Sequence, residues 1–137
     1  MSFWYTPQIT PEYGAELLAG EAGAAERAAA LEPDTVATKH ALGNLARAQF
    51  KFALAEGHYL RGMEIDPGYP DVREDYAEVL YQIGRFEDSA RAARQLVKLD
   101  PYFLVGWIRL RDAAAALDRR DEVEESVRQT RAINPEN

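Results

Sequence analysis

The sequence predicts an all-α fold: an α-solenoid of three helix–turn–helix repeats behind an extra N-terminal helix, wound as a right-handed superhelix. Three observations predict it. Pro33, Pro67, Pro101 and Pro135 stand at a constant interval of 34 residues. A polar residue precedes each (Glu32, Asp66, Asp100, Asn134), and a branched aliphatic stands one place earlier (Leu31, Ile65, Leu99, Ile133). Between the prolines, apolar residues recur every three or four positions, the spacing of a helix with one buried face.

The elements follow in order. Residues 1–35 read as an aromatic arm plus a degenerate leading helix. Thr10 is a suitable N-cap and Pro11 a suitable first-turn residue, so a helix is expected from there to about Leu31. Gly14, Gly20 and Gly23 weaken it by about 1 kcal/mol each against alanine. Ala22, Ala25, Ala28 and Ala29 suit close packing on the next block. Phe3-Trp4-Tyr5 is expected to fold back over this helix; the other reading pairs it with another chain, as in a homo-oligomer.

Three complete blocks follow: 36–69, 70–103 and 104–137. Each holds a first helix A and a second helix B. Block one carries Leu42, Leu45 and Ala46 on helix A, then Ala55, Tyr59, Gly62, Met63 and Ile65 on helix B. Block two carries Tyr76, Ala77 and Leu80, then Ala90, Ala93, Leu96, Val97 and Leu99 as its buried stripe. Block three carries Trp107, Leu110 and Ala114, then Val123, Val127, Thr130 and Ile133. The narrow last stripe reads as a self-capping end. Each closing proline stops its B helix, Gly84 permits a tight turn, and Asp121 with Glu124 is expected to form a capping box.

These residues resemble the tetratricopeptide repeat (TPR) pattern. Block one supplies Leu42-Gly43, Ala55, Tyr59, Gly62 and Pro67. Block two supplies Ala77, Leu80, Gly84, Phe86 and Pro101, with Ser89 for the opening alanine and Leu96 at a small-residue site. Block three supplies Trp107, Leu110, Val127 and Pro135. Gly43 and Ala77 mark where helix A must approach helix B closely. Arg111 in block three implies looser packing there, or an arginine turned out to solvent. Phe50 replaces the turn glycine of block one, so that turn is expected to be stiff and apolar.

Composition bounds the function. The 137 residues are 47% hydrophobic and 28% charged, with no cysteine, which excludes disulfides and thiolate metal sites. The net charge is −7, and without a basic stripe this argues against nucleic acid. No apolar run reaches membrane-spanning length, and no secretory signal opens the chain. A cytoplasmic location is expected. His40 and His58 fall on different helices without a second histidine one turn away, and no phosphate loop or activated nucleophile is present. No enzymatic activity, cofactor or metal is expected.

The resemblance implies a protein–protein interaction module whose concave groove, lined by the A helices, holds a peptide or helix of a partner. Carried over residue by residue, the groove candidates are His40, Asn44, Arg47, Asp71, Glu74, Asp75, Glu78, Tyr81, Ile108, Arg109 and Asp112. One branch of the family clamps the C-terminal carboxylate of chaperones. Asn44 and Arg109 match that clamp, but Asp75 and Val105 replace an asparagine and a lysine, so an acidic terminus is repelled. Asp71, Glu74, Asp75 and Glu78 instead form an acidic stripe, which suits a basic or amphipathic segment. Asp71 and Asp75 are expected to face solvent. The plainer reading is that acids complement the helix N-terminus, with Arg47 or Arg109 neutralising them. The same block puts Arg85, Arg91, Arg94 and Lys98 on its turn and B helix. Other readings are a regulatory or substrate-docking appendage of a larger enzyme or signalling protein, and a self-assembling scaffold or adaptor.

Overall fold

The computed structural model describes residues 11–136, without the side chains of residues 11–19 and 21. The described residues form seven helices and no strand: α1 (Pro11–Leu31), α2 (Val36–Ala48), α3 (Phe52–Ile65), α4 (Pro70–Gln82), α5 (Phe86–Leu99), α6 (Leu104–Ala116) and α7 (Arg120–Ile133). Helices α2 and α3, α4 and α5, and α6 and α7 pack as pairs, and each pair packs on the helix before it. The A helices α2, α4 and α6 also touch in sequence, which builds one continuous wall. The packing of Phe3, Trp4 and Tyr5 and the Thr10 cap lie outside the described residues.

The three A-to-B turns are one motif. Phe50 (φ 60°), Gly84 (φ 83°) and Asp118 (φ 57°) all adopt the left-handed conformation, and they stand 34 residues apart. Around each, two bonds close the helix end: Phe50 N to Arg47 O at 2.9 Å and Lys51 N to Ala46 O at 2.8 Å in the first block. The second block repeats them from Gly84 and Arg85, the third from Asp118 and Arg119. This is the Schellman arrangement, which satisfies carbonyls that the helix leaves open. Phe50 fills it at a steric cost, and its ring is 80% exposed, touching Phe52 edge-on at 6.1 Å.

Close approach within the first pair depends on Gly43, whose missing side chain leaves room for the fully buried Tyr59 ring. Between pairs, one small residue meets one large one, with the roles exchanged. At the first junction Gly62 lies under Val72, whose Cγ1 would be 3.4 Å from an added Cβ. At the second, Leu96 packs against Gly106, where its Cγ would be 3.2 Å from an added Cβ. Leu96 departs from the small-residue pattern because Gly106 vacates the facing position. Ser89, in place of the opening alanine, is buried and donates to the Ala77 carbonyl at 2.7 Å, tying α5 to α4.

Several expectations are corrected. Leu99 is 53% exposed rather than buried, because it lies at the last residue of α5 beyond the packed face. Asp121 caps nothing: α7 starts at Arg120 behind Arg119, so Asp121 sits inside the first turn, where its charge suits the helix dipole. Arg111 turns outward to Asp112, with Nη2 and Oδ1 3.1 Å apart, and α6 keeps its packing on α7. In the earlier blocks the positions of Arg111, Thr130 and Arg131 hold Gly43, Gly62 and Met63, then Ala77, Leu96 and Val97. Polar and charged groups thus stand on the third pair where those blocks are small or apolar. No helix among the described residues is long and apolar enough to cross a membrane.

Candidate functional site

The wall formed by α2, α4 and α6 carries the predicted groove residues, and the structure joins six of them into one chain of hydrogen bonds and ion pairs. His40 Nε2 meets Asp75 Oδ2. Arg47 Nη1 reaches Asp75 Oδ1 at 3.5 Å and Glu78 Oε2 at 3.2 Å. Arg109 completes the chain, with Nε 2.7 Å from Glu74 Oε1 and Nη2 3.1 Å from Glu78 Oε2. Charges alternate from α2 to α4 to α6, so the pairs stitch the three A helices together across the groove.

The stripe is therefore largely neutralised from both sides. The expectation that Asp75 faces solvent is corrected: only 13% of its side chain is exposed, because His40 and Arg47 close over it. Asp71 is exposed and makes no ion pair among the described residues. Asp112 takes Arg111. Of the five carboxylates, Glu74, Asp75, Glu78 and Asp112 each meet an arginine, and Asp71 alone has no ion-pair partner among the described residues.

Carboxylate oxygens of Glu74, Asp75 and Glu78 lie within 4.8 Å of one another. Burial, then hydrogen bonding to Asp75, pushes Glu74 up to about 7 despite Arg109. Burial also opposes ionisation of Asp75, but hydrogen bonds from His40 and Glu74 and the nearby Arg47 bring it below its ordinary value. A proton held between these two acids thus resides on Glu74. Like charges crowded together cannot all ionise freely.

The remaining candidates are more dispersed. Asn44 points into the protein: its Oδ1 accepts from Tyr59 Oη at 2.6 Å. Burial holds that tyrosine hydroxyl well above the usual range, so it remains a donor. Tyr81 is exposed and meets Phe86 edge-on at 5.2 Å. Ile108 turns towards α7, in a cleft of about 390 Å³ with Val127 and Thr130. Sequence reasoning missed the Tyr59–Asn44 bond, because Tyr59 read only as a packing residue.

No protein-family model and no curated protein matches the sequence. Solved structures do match. The chain is similar to the first TPR of Spaghetti (RPAP3) bound to the HSP90 peptide SRMEEVD, with a TM-score of 0.71 and 22% identity, covering 74% of this chain and 81% of that one. It is similar to the Arabidopsis OM64 TPR domain, at 0.69 and 16%, covering 74% and 84%. The first TPR domain of the human RPAP3 protein gives 0.71 and 22%, covering 77% and 83%.

The fold is the TPR fold. In that fold the proline phase of the sequence marks the ends of B helices, and the ion-paired wall is its row of A helices. Gly43, Ala77 and Tyr59 are buried packing residues of this fold, whereas the charged wall is not needed to fill its core.

Proposed function

We propose that this chain is a non-enzymatic interaction module that holds a basic or amphipathic peptide or helix of a partner protein in the groove of α2, α4 and α6. The observation that carries this reading is the row of four carboxylates along α4, with Asp71 unpaired and exposed. An incoming cation finds Asp71 open and can exchange with Arg47 or Arg109 at Glu78. A negative field along a groove speeds encounter with cations and discourages acidic partners. Tyr81 at its edge offers apolar contact.

The similar RPAP3 domain binds a peptide ending in aspartate. Here the groups that would receive such an end are committed. Arg109 is engaged by Glu74 and Glu78, and Asn44 by Tyr59. The same exchange surface serves a docking appendage of a larger protein equally well. Self-stacking through the C-terminal end is disfavoured by Arg111 and Arg131, which would have to be buried.

The test is selection from a random-peptide display library, on the parent and on Asp71→Lys/Asp112→Lys. That pair reverses two groove charges and leaves the His40–Asp75–Arg47 pairs intact. Lysine- and arginine-rich peptides should be enriched by the parent, bind less tightly as salt rises, and disappear with the variant. A parent that enriches no basic class, or a variant that retains it, overturns the reading.

A further inference from the structure

On α4, Arg73 and Tyr76 lie on the side away from Glu74, Asp75 and Glu78, by the helix's roughly 100° per residue. There they line a separate cleft of about 340 Å³ between α3 and α5. Met63, Tyr76 and Ala92 give it an apolar wall. Arg73, Arg85 and Arg91 give it three guanidiniums against two carboxylates, Asp88 in its lining and Glu56 bound to Arg85. The chain as a whole carries −7, so this is a local reversal of its charge.

The three arginines are not equally occupied. Arg85 is saturated: Nη1 lies 2.8 Å from both Glu56 oxygens, and Nε and Nη2 lie 3.0 and 2.9 Å from Asp88 Oδ2. Arg91 gives one nitrogen to Asp88 Oδ1 at 3.2 Å and is otherwise exposed. Arg73 gives only Nε, to the Pro67 carbonyl at 2.8 Å, and makes no ion pair among the described residues.

The next block shows what the fold requires at that place. Trp107 stands 34 residues after Arg73, and its Nε1 makes the same bond to the Pro101 carbonyl at 2.8 Å. One N–H suffices and no charge is needed, so both Nη nitrogens of Arg73 are surplus to packing. The counterparts of Asp88 and Arg91 are Glu122 and Glu125. The positive cleft therefore belongs to this block and not to the repeat.

We propose that the cleft over Tyr76 binds a carboxylate-bearing segment of a partner protein, Arg73 and Arg91 taking its acids and Met63, Tyr76 and Ala92 an adjoining apolar side chain. Guanidiniums pair with carboxylates in planar, two-bond geometry. The apolar wall selects for a segment that alternates acids with large hydrophobic residues. Nucleic acid is disfavoured because its extended charge would meet the acidic remainder of the chain. The module would then hold cationic and anionic segments on opposite sides of α4.

The test uses the same peptide library with the pair Arg73→Trp/Arg91→Ala. Tryptophan keeps the bond to the proline carbonyl, as block three does, and Arg91 is a surface residue. The parent should enrich a second class of peptides, rich in Glu and Asp with Leu or Phe between. Their affinity should fall about tenfold or more in this variant, the loss expected of one charge-assisted pair. It should be unchanged in Asp71→Lys/Asp112→Lys, which removes only the basic class. No acidic class, or one that binds Arg73→Trp/Arg91→Ala as tightly as the parent, overturns the proposal without touching the groove reading. A single-stranded RNA oligonucleotide displacing the acidic peptides more strongly than an unlabelled acidic peptide also overturns it.

Discussion

Gly43 and Tyr59 share one slot between α2 and α3: a Cβ on Gly43 would lie 2.6 Å from Tyr59 Cδ1 and closer still to Cε1. The ring cannot retreat, because it is fully buried and its hydroxyl is bonded to Asn44. Gly43→Leu should therefore cost at least the ~1–3 kcal/mol of ordinary overpacking. Urea unfolding reads it directly. An unchanged midpoint would mean that the first pair packs through some other face.

Phe50 holds a left-handed turn that Gly84 holds without strain. Phe50→Gly should stabilise the fold by roughly 0.5–1 kcal/mol. The gain is relief of a ~1–2 kcal/mol left-handed penalty, less glycine's extra unfolded-state entropy. Little packing is lost, since the ring is mostly exposed. A lower melting temperature for Phe50→Gly would show that the Phe50–Phe52 contact outweighs the strain.

Leu96 and Gly106 form one inter-repeat contact, so their substitutions should couple. Gly106→Val alone should destabilise by about 1–3 kcal/mol through overpacking. Combined with Leu96→Ala it should cost less than the sum of the two single changes, because the smaller residue opens the space that valine needs. A double-mutant cycle measures this. Strict additivity would place the two residues out of contact.

Glu74 makes stability depend on pH near neutrality. Its folded value is raised to about 7 by burial and by Asp75, so the folded state binds its proton more tightly than the unfolded chain does. That contribution is complete below the ordinary carboxylate range and is lost as pH rises through about 7. Asp75 has the opposite sign, and its contribution is lost only as pH falls below its ordinary value. Glu74→Gln mimics the protonated acid and removes the first dependence. Between about pH 5 and about pH 8 the parent should lose stability relative to this variant. A constant difference across that range would refute the shared proton.

Much of this was legible in the sequence because it is periodic. The proline phase located the B-helix ends, the three-and-four spacing located the helices, and Gly43 marked a close approach. These depend on neighbours along the chain and on a repeat that states its own register. The groove was legible only as a set of positions. That Asp75 is covered while Asp71 is open, and that Glu74, Asp75 and Glu78 find His40, Arg47 and Arg109, depends on partners 28 to 35 residues away and on the angle between stacked helices.

The sequence by itself determined the array: its helices and its period, because each follows from local preference and repetition. Only the tertiary structure decided which charges are spent and which remain. It set Leu96 against Gly106, turned Arg111 to Asp112, and left Arg73 with one bond made and two nitrogens over. Those outcomes are fixed by the distances between helices, which no single helix encodes.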